Sequence, residues 1–338
     1  MDDLDRQLLL FLQNGIPLCK RPFEGIGARL GIDSADVLLR ISRLKIKKII
    51  SQITAVLEGR HLGYENALAA MIVLPEQFEK AVSGMKSHPG VTSCSVRRDE
   101  FNLWFTLAVP GGKTEKHLRE LHRFAGAKKT ILLPVLKRFK GASGCDFSGF
   151  PEKEIKPASL NPAETDLIRI IQENFPLDDE PFRKWAEEMG TSESEVFGLL
   201  EAWSRKGYFK KIAAVVPSKT AAAENTVLTV WEVPEERQDE AGNSMAAFAE
   251  IIDCVKRPAY PEFPYALYSL VRAEGPDQAE EILGKVSSVV GGWPRRLLWN
   301  VKEHKKIRLK YFSEGLEDWQ SRALEIQSSG SKSSSNEE

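Results

Sequence analysis

An internal duplication constrains the fold of this 338-residue chain more than any other feature. Residues 4–56 align without gaps on residues 163–215 at a constant offset of 159 positions. The aligned pairs include two prolines, a glycine and a ladder of apolar residues: Pro17 with Pro176, Pro22 with Pro181, Gly31 with Gly190, Leu8 with Leu167 and Ile53 with Ile212. Chance does not keep such a set in one register, so the chain consists of two homologous halves that we expect to form an internal pseudo-dimer.

Each half begins with a pattern typical of three short helices and a strand. In the first half, apolar residues recur at helical spacing from Leu4 to Leu12, and Gly15 with Pro17 ends the first helix. Gly31 then ends the second helix, just before the third. Three short helices with such a glycine turn are the helix-turn-helix (winged-helix) pattern, predicted here at residues 1–60 and 161–218.

Each half continues with the element order βαββαβ, which is the ferredoxin-like sandwich. The predicted elements of the first half are 67–74, 77–87, 92–97, 102–109, 113–124 and 130–136, and those of the second are 226–232, 243–252, 254–257, 266–271, 278–289 and 295–299. These domains span residues 61–140 and 219–313, so the fold class is α+β with two tandem homologous halves. A linker is predicted at 141–160, and a C-terminal tail at 314–338 is expected to be largely disordered after 327.

Composition excludes several other classes. The four cysteines form no Cys-x-x-Cys pair, which predicts neither a zinc site nor a disulfide framework, and no metal site is expected. The longest apolar run, residues 67–74, is far too short to span a membrane, and the acidic start lacks a signal-peptide pattern. We therefore expect a cytoplasmic protein with no membrane partner.

The two predicted third helices differ in charge. The first, at residues 34–48, carries a net charge of +4, whereas its counterpart at 193–207 carries −1. Binding to a twofold operator needs two basic helices, because phosphate neutralisation supplies most of the affinity. The sequence therefore favours an assembly role for these domains and makes DNA an unlikely partner.

Two signatures carry a resemblance to known families. A helix-turn-helix followed by a ferredoxin-like domain resembles the Lrp/AsnC regulators and the sirohaem decarboxylases, which share that architecture. Residues 97–106, RRDEFNLWFT, are similar to the signature of one decarboxylase subunit type, and residues 256–268, KRPAYPEFPYALY, are similar to that of the other. The ending at residues 305–312 also resembles the second type, so the chain looks like a fused, two-subunit sirohaem decarboxylase.

The resemblance implies a non-redox carboxy-lyase that acts on the acetate side chains of sirohaem. The product would be 12,18-didecarboxysirohaem, on the alternative route to haem or haem d1. The iron arrives with the tetrapyrrole substrate, so no further cofactor is expected. Two alternatives stay open: a DNA-binding regulator of Lrp/AsnC type that senses haem or another tetrapyrrole, and a homologue that binds the tetrapyrrole without turning it over.

Such a site needs cations for the substrate carboxylates, flat aromatic walls and a proton donor. The substrate-binding candidates lie within the two signatures: Arg97, Asn102, Trp104, Lys256, Arg257, Tyr260, Phe263 and Tyr268. The catalytic candidates are Glu100, Tyr265, Arg98 and Arg272. At this offset the alignment pairs Arg97 with Lys256 and Arg98 with Arg257.

The chain departs from the family at two positions. Glu100 and Arg272 stand where the resemblance implies histidines. One hypothesis is that the chemistry has moved to Glu100 and Tyr265; the other is that the site only binds a tetrapyrrole. The five histidines show no ligand spacing, and His117 and His122 are expected to face solvent.

Overall fold

A computed structural model describes residues 1–141, 157–216, 225–316, 318 and 319. Most of the predicted linker and the predicted disorder after residue 327 lie outside these residues. In the first half the elements are α1 (Asp3–Asn14), α2 (Pro22–Leu30), α3 (Ser34–Ile46), β1 (Gln52–Leu57), β2 (Tyr64–Ile72), α4 (Phe78–Ser87), β3 (Val91–Arg97), β4 (Leu103–Pro110), α5 (Thr114–Ala125), β5 (Lys129–Leu133) and β6 (Lys137–Lys140).

The second half repeats this order. Its elements are α6 (Pro162–Ile171), α7 (Pro181–Met189), α8 (Glu193–Lys206), β7 (Phe209–Val215), β8 (Thr226–Trp231), α9 (Gln238–Ala246), β9 (Ile251–Lys256), β10 (Leu267–Arg272), α10 (Pro276–Val290), β11 (Arg295–Leu298) and β12 (Asn300–Lys306). No helix in the part of the chain that the structure describes is both long and apolar enough to cross a membrane.

The described residues divide into two compact units, and the first unit holds both helix-turn-helix domains. The duplication is visible in the helix ends of this unit. Asp2 and Asn161 each accept a backbone hydrogen bond at the start of α1 and α6 and form capping boxes. Gly31 and Gly190 end α2 and α7 with φ angles of 71° and 67°, a left-handed conformation that glycine adopts without steric cost.

The two wings of this unit pair with each other. Strands β1 and β7 form an antiparallel two-stranded sheet in which Ile53 lies opposite Ala214. The chain therefore carries its own pseudo-dimer contact within this unit.

Helix α3 retains part of its predicted basic surface. Arg43 and Lys47 are exposed, whereas Arg40 is bound by three carboxylates, those of Asp2 (2.9 Å), Asp5 (2.8 Å) and Asp36 (3.2 Å). Arg40 is thus largely neutralised within the protein, which reduces the positive charge that α3 offers to a phosphate backbone.

The second unit contains the two ferredoxin-like sandwiches. Its two five-stranded sheets have the strand orders β12-β3-β4-β2-β5 and β11-β8-β10-β9-β6. Successive side chains on a strand point to opposite faces of the sheet. On β4, for example, Leu103 and Phe105 belong to the helix-side core, which is the hydrophobic core between the first sheet and its helices. Trp104 belongs instead to a separate hydrophobic cluster that contains residues of both sheets.

Each sheet takes its last strand from the other half of the chain. Strand β6 of the first half pairs with β9 of the second, and β12 of the second pairs with β3 of the first. This exchange was not predicted from the sequence, where the last strands of the two sandwiches were expected at 130–136 and 295–299 and no strand was expected at β6 or β12. The exchange joins the two halves by backbone hydrogen bonds within this unit.

A buried ion pair supports the exchanged strand β6. Arg138 on β6 contacts Asp253 on β9, with 2% and 12% of the two side chains exposed. Arg138→Met is expected to lower the free energy of unfolding by about 3 kcal/mol, because the buried carboxylate loses its counter-charge. Urea unfolding at pH 7 measures this. Lys137→Met is the matched control, since the Lys137–Asp239 pair is exposed and worth less than about 1 kcal/mol. Equal losses in the two variants would contradict the prediction.

The start of the predicted tail is packed. Leu316 and Trp319 are buried in the helix-side core of the first sandwich. The Trp319 indole donates a hydrogen bond of 3.0 Å to the Ser87 hydroxyl. The ordered fold therefore extends past residue 313, the predicted end of the second sandwich.

Candidate active site

Within the second unit, side chains from both sheets form an aromatic cluster. Its buried members are Ala70, Phe101, Trp104, Ile131, Leu133, Val230, Val255, Phe263, Tyr265, Tyr268 and Leu298. Phe263 is central, because its ring lies 5.3 Å from that of Phe101, 5.8 Å from Trp104 and 4.8 Å from Tyr265. Four of the predicted site residues, Trp104, Phe263, Tyr265 and Tyr268, thus meet in one place.

Two arginines flank this cluster in matching geometry. The Arg97 guanidinium lies 5.7 Å from the Trp104 ring and donates a 2.5 Å hydrogen bond to the Leu298 carbonyl. The Arg257 guanidinium lies 5.4 Å from the Tyr268 ring and donates to the Leu133 carbonyl. Each arginine therefore binds the last residue of β11 or β5, which belongs to the other half of the chain.

The strand register corrects the alignment of the two signatures. Val96 pairs with Leu103 on β4, and Lys256 pairs with Leu267 at the equivalent place on β10. The offset between β3 and β9 is therefore 160 rather than 159, so Arg97, and not Arg98, is the counterpart of Arg257. Successive side chains point to opposite faces, so Arg97 turns inward while Arg98 is exposed. An alignment that is wrong by one residue therefore matches an inward side chain with an outward one.

Neither inward arginine forms a direct ion pair with a carboxylate among the described residues, and Asp253 acts on Arg257 only at longer range. Burial lowers the pKa of both guanidinium groups to about 10, so each stays charged at neutral pH. The Nε atoms of Arg97 and Arg257 are buried without a hydrogen-bond partner in the described structure. A buried and unpaired charge costs several kcal/mol, so this arrangement is one that an anionic ligand would stabilise.

Tyr265 lies at the edge of the cluster beside a charged pair. Its side chain is 5% exposed, and the Arg296 guanidinium lies 5.3 Å from its ring. Burial raises the pKa of Tyr265, and the neighbouring Arg296 opposes part of that rise. Arg296 also forms a 3.2 Å ion pair with Asp99 from the first half. The phenol is thus protonated at neutral pH, with a cation placed to stabilise its phenolate form.

Two further candidates, Asn102 and Tyr260, make structural contacts. Asn102 binds the backbone of Val73 with both its side-chain oxygen (3.1 Å) and its side-chain nitrogen (2.8 Å). The half-buried Tyr260 donates its hydroxyl to the Leu132 carbonyl at 2.6 Å. Lys256 is half-buried at the end of β9. In this conformation Asn102 and Tyr260 therefore use their polar groups to hold the β2 and β5 ends in place.

The remaining catalytic candidates lie apart from the cluster. Glu100 and Arg98 are exposed in and beside the turn between β3 and β4. Arg272 is the last residue of β10, seven positions after Tyr265, which corresponds to about 23 Å of extended strand. It lines a cleft of about 540 Å³ with Lys285, Glu250 and Ile282, where its guanidinium is able to hold a carboxylate.

The structure corrects the expectation that His117 faces solvent. His117 is 1% exposed and His88 is fully buried, and their ring nitrogens Nδ1 and Nε2 lie 3.1 Å apart. The Gly90 amide donates to His88 Nδ1, so Nε2 of His88 carries the proton and donates to His117. The helical signal was present, because His117 lies on the same face of α5 as Leu121 and Ala125. His122 is half-buried against Thr130.

This pair should make the protein sensitive to acid. Burial lowers the pKa of His88 to about 3 and also lowers that of His117, so the unfolded chain binds more protons below about pH 6.5. The stability that depends on the neutral pair is present above that pH and is lost as the pH falls, by up to about 1.4 kcal/mol per pH unit for each histidine.

A double variant tests this origin of the acid sensitivity. Phe248 and Ile282 occupy the equivalent positions of the second sandwich, so His88→Phe with His117→Ile copies that sandwich. Urea midpoints at pH 7 and pH 5 should differ less in the double variant than in the wild type. An unchanged difference would show that other groups cause the acid sensitivity.

Comparison with known proteins agrees with this architecture. Residues 5–50 and 164–209 match the family model "Siroheme decarboxylase NirDL-like HTH domain", and residues 61–140 and 223–305 match "AsnC-like ligand binding domain". The siroheme decarboxylase of Hydrogenobacter thermophilus is 31% identical over 321 residues, covering 93% of this chain and 96% of that protein. The chain belongs to the sirohaem decarboxylase family.

Further relatives of this decarboxylase family match both halves of the chain in one piece. The siroheme decarboxylase NirDL subunit of Paracoccus denitrificans is 26% identical and covers 89% of this chain and 95% of that protein. The crystal structure of the siroheme decarboxylase NirDL in co-complex with an iron-uroporphyrin III analogue has a TM-score of 0.79 at 29% identity, over 96% of this chain and all of that one. The expectation of a fused, two-half decarboxylase architecture is confirmed.

Proposed function

We propose that this chain decarboxylates sirohaem, converting two acetate side chains to methyl groups and giving 12,18-didecarboxysirohaem on the alternative route to haem or haem d1. The observation that carries the proposal is the pair of inward arginines, Arg97 and Arg257, which keep a charge without a direct ion pair to a carboxylate among the described residues. The membership of the chain in the decarboxylase family supports an acidic tetrapyrrole as the missing partner.

Arg97 is the more accessible of the two anchors. It is half-buried, whereas Arg257 is 5% exposed, so a ligand carboxylate reaches Arg97 with less rearrangement of the cluster. A guanidinium binds a carboxylate through two parallel hydrogen bonds, and the free Nε of Arg97 supplies one of the donors. The Trp104 ring beside it supplies a flat apolar wall for the macrocycle.

The chemistry at each acetate is a heterolytic cleavage. The bond between the methylene carbon and the carboxylate carbon breaks, carbon dioxide leaves, and the electron pair stays on the methylene carbon. One proton added to that carbon gives the methyl group, so each acetate consumes one proton and no electron is exchanged with an outside acceptor. The iron belongs to the substrate, and we propose that no further cofactor takes part.

Tyr265 is the proton donor that the geometry supports best. It is the one catalytic candidate within the aromatic cluster as described, and its raised pKa keeps the phenol protonated at neutral pH. Arg296 lies where it stabilises the phenolate left after transfer. Glu100 is exposed to water outside the cluster, so we assign it no direct proton transfer. This arrangement replaces the family histidines by a phenol in the donor role.

Turnover under anaerobic conditions tests the proposal. The purified protein is incubated with sirohaem, and the extracted tetrapyrrole is analysed by mass spectrometry at intervals. Accumulation of a species that has lost two carbon dioxide units is the expected result. Sirohaem that co-elutes with the protein and keeps its mass would show binding without catalysis and would overturn the proposal.

A further inference from the structure

The two ends of the aromatic cluster are related by the internal duplication but differ in polarity. On β11, Arg296 pairs with Val230, and on β5, Ile131 pairs with Ala70, which is the equivalent of Val230. The β3–β9 register likewise makes Ala259 the counterpart of Asp99. One end of the cluster thus carries an ion pair where the other end carries isoleucine and alanine.

The polar end gathers charged groups from two places in the chain, with Arg296 on β11 and Arg97 and Asp99 at and after the end of β3. The Arg97 guanidinium binds the carbonyl of Leu298, two residues beyond Arg296 on β11. Residues two apart on a strand share a face and lie about 7 Å apart, so Arg296 and Arg97 approach the same edge of the cluster. This end therefore brings two guanidinium groups close to the carboxylate of Asp99, with Glu232 also near Tyr265.

The Asp99–Arg296 pair is asymmetric in exposure. The Arg296 side chain is 48% exposed, whereas that of Asp99 is 7% exposed and is held by the Phe101 amide at 3.1 Å. Arg296 is therefore able to turn towards a ligand while Asp99 stays fixed. Because Asp99 is nearly buried, releasing Arg296 from it has a cost, which the hydrogen bond from the Phe101 amide and the new ion pair with the ligand carboxylate offset.

We propose that Arg296 is a specificity-determining residue that exchanges Asp99 for a carboxylate of the tetrapyrrole and places that side chain beside Tyr265. This inference rests on the proposed function, because it assigns the substrate-binding end of the same cluster. In the free protein Asp99 occupies the position of the substrate carboxylate. The apolar end has Ile131 and Ala259 in place of this pair, so a carboxylate there depends on Arg257 alone.

Binding of iron-uroporphyrin, measured by absorbance titration of the full-length protein, tests the exchange apart from turnover. Arg296→Met should weaken the affinity about tenfold or more, because a charge-assisted hydrogen bond is lost. Asp99→Asn should leave the affinity unchanged or increase it, because the competing carboxylate is removed while the side-chain oxygen still accepts from Phe101. Lys129→Met removes an exposed ion pair with Glu262 at the apolar end and is the matched control.

Weaker binding by Arg296→Met, together with unchanged or tighter binding by Asp99→Asn, supports the exchange. If Arg296→Met binds as the wild type does, or if Asp99→Asn weakens binding as much as Arg296→Met, the exchange is wrong and the pair is structural. If Arg296→Met does not fold, Arg296→Lys takes its place and should bind more weakly than Asp99→Asn. A wild type that binds iron-uroporphyrin but leaves sirohaem intact would overturn the proposed function while the role of Arg296 in binding is still measured.

Discussion

Replacement of Arg97 by methionine is expected to lower kcat/KM for sirohaem about 100-fold, since removal of one partner of a buried ion pair typically costs about 3 kcal/mol. The same substitution should leave the folded protein as stable as the wild type or more stable. The reason is that the free protein holds this guanidinium partly buried without a carboxylate partner in the described structure. A substitution that abolishes function by unfolding the protein lowers the free energy of unfolding instead.

Anaerobic steady-state kinetics together with urea unfolding measure both quantities. Arg237→Met is the matched control, because Arg237 is an exposed arginine of the same unit that forms an ion pair with the exposed Glu240. It should change neither kcat/KM nor stability measurably. Arg97→Lys keeps the charge but loses the paired donors, so an intermediate kcat/KM is expected. A loss of stability in Arg97→Met that parallels the loss of activity would contradict the assignment of Arg97 as an anchor.

Replacement of Tyr265 by phenylalanine is expected to lower kcat by a factor of about 100 to 10,000, the range typical for loss of a general acid. KM should change little, because the ring remains packed against Phe263 and keeps its place in the cluster. Single-turnover and steady-state kinetics separate the two parameters. Tyr208→Phe, in the helix-turn-helix unit, is the control for loss of a phenol elsewhere.

The pH profile gives a second measurement on Tyr265. A donor must be protonated, so its contribution is lost as the pH rises through the pKa of the phenol in the folded protein. Burial raises that pKa above the usual value of 10, so the wild type should show no alkaline loss of kcat from this group below about pH 10. A kcat for Tyr265→Phe equal to that of the wild type would exclude the phenol as the donor.

The order of the elements could be predicted from the sequence because it depends on local patterns. Helix-ending glycines, capping residues and alternating apolar residues are local, and the duplication made each pattern visible twice. Gly31 and Gly190, for example, end equivalent helices in nearly identical conformations. The same features explain the agreement with the family models over both halves.

The strand exchange depends on pairing between residues more than a hundred positions apart, and no local pattern reports it. Lys137 on β6 lies opposite Lys256, and Asn300 on β12 lies opposite Arg97. Short edge strands with many charged residues resemble solvated linkers in sequence. The predicted last strand of the first sandwich therefore ended at residue 136, and no strand was predicted at 137–140.

The candidate site was predicted in part. Its aromatic residues lie within the two signatures, and the structure gathers Trp104, Phe263, Tyr265 and Tyr268 in one cluster. The choice between Arg97 and Arg98 depended on a register shift of one residue, which a gapless alignment could not detect. Arg296 was missed because it lies outside both signatures and meets Asp99 only through the packing of the two halves.

The central claim is that this chain turns sirohaem over, and a single-turnover reaction in deuterium oxide tests it most directly. Protein in excess is mixed anaerobically with sirohaem, and the tetrapyrrole is analysed by mass spectrometry. The expected product has lost two carbon dioxide units and carries one solvent deuteron in each new methyl group, because each carbanion is protonated once. Sirohaem recovered at its original mass, while bound to the protein, would contradict the claim.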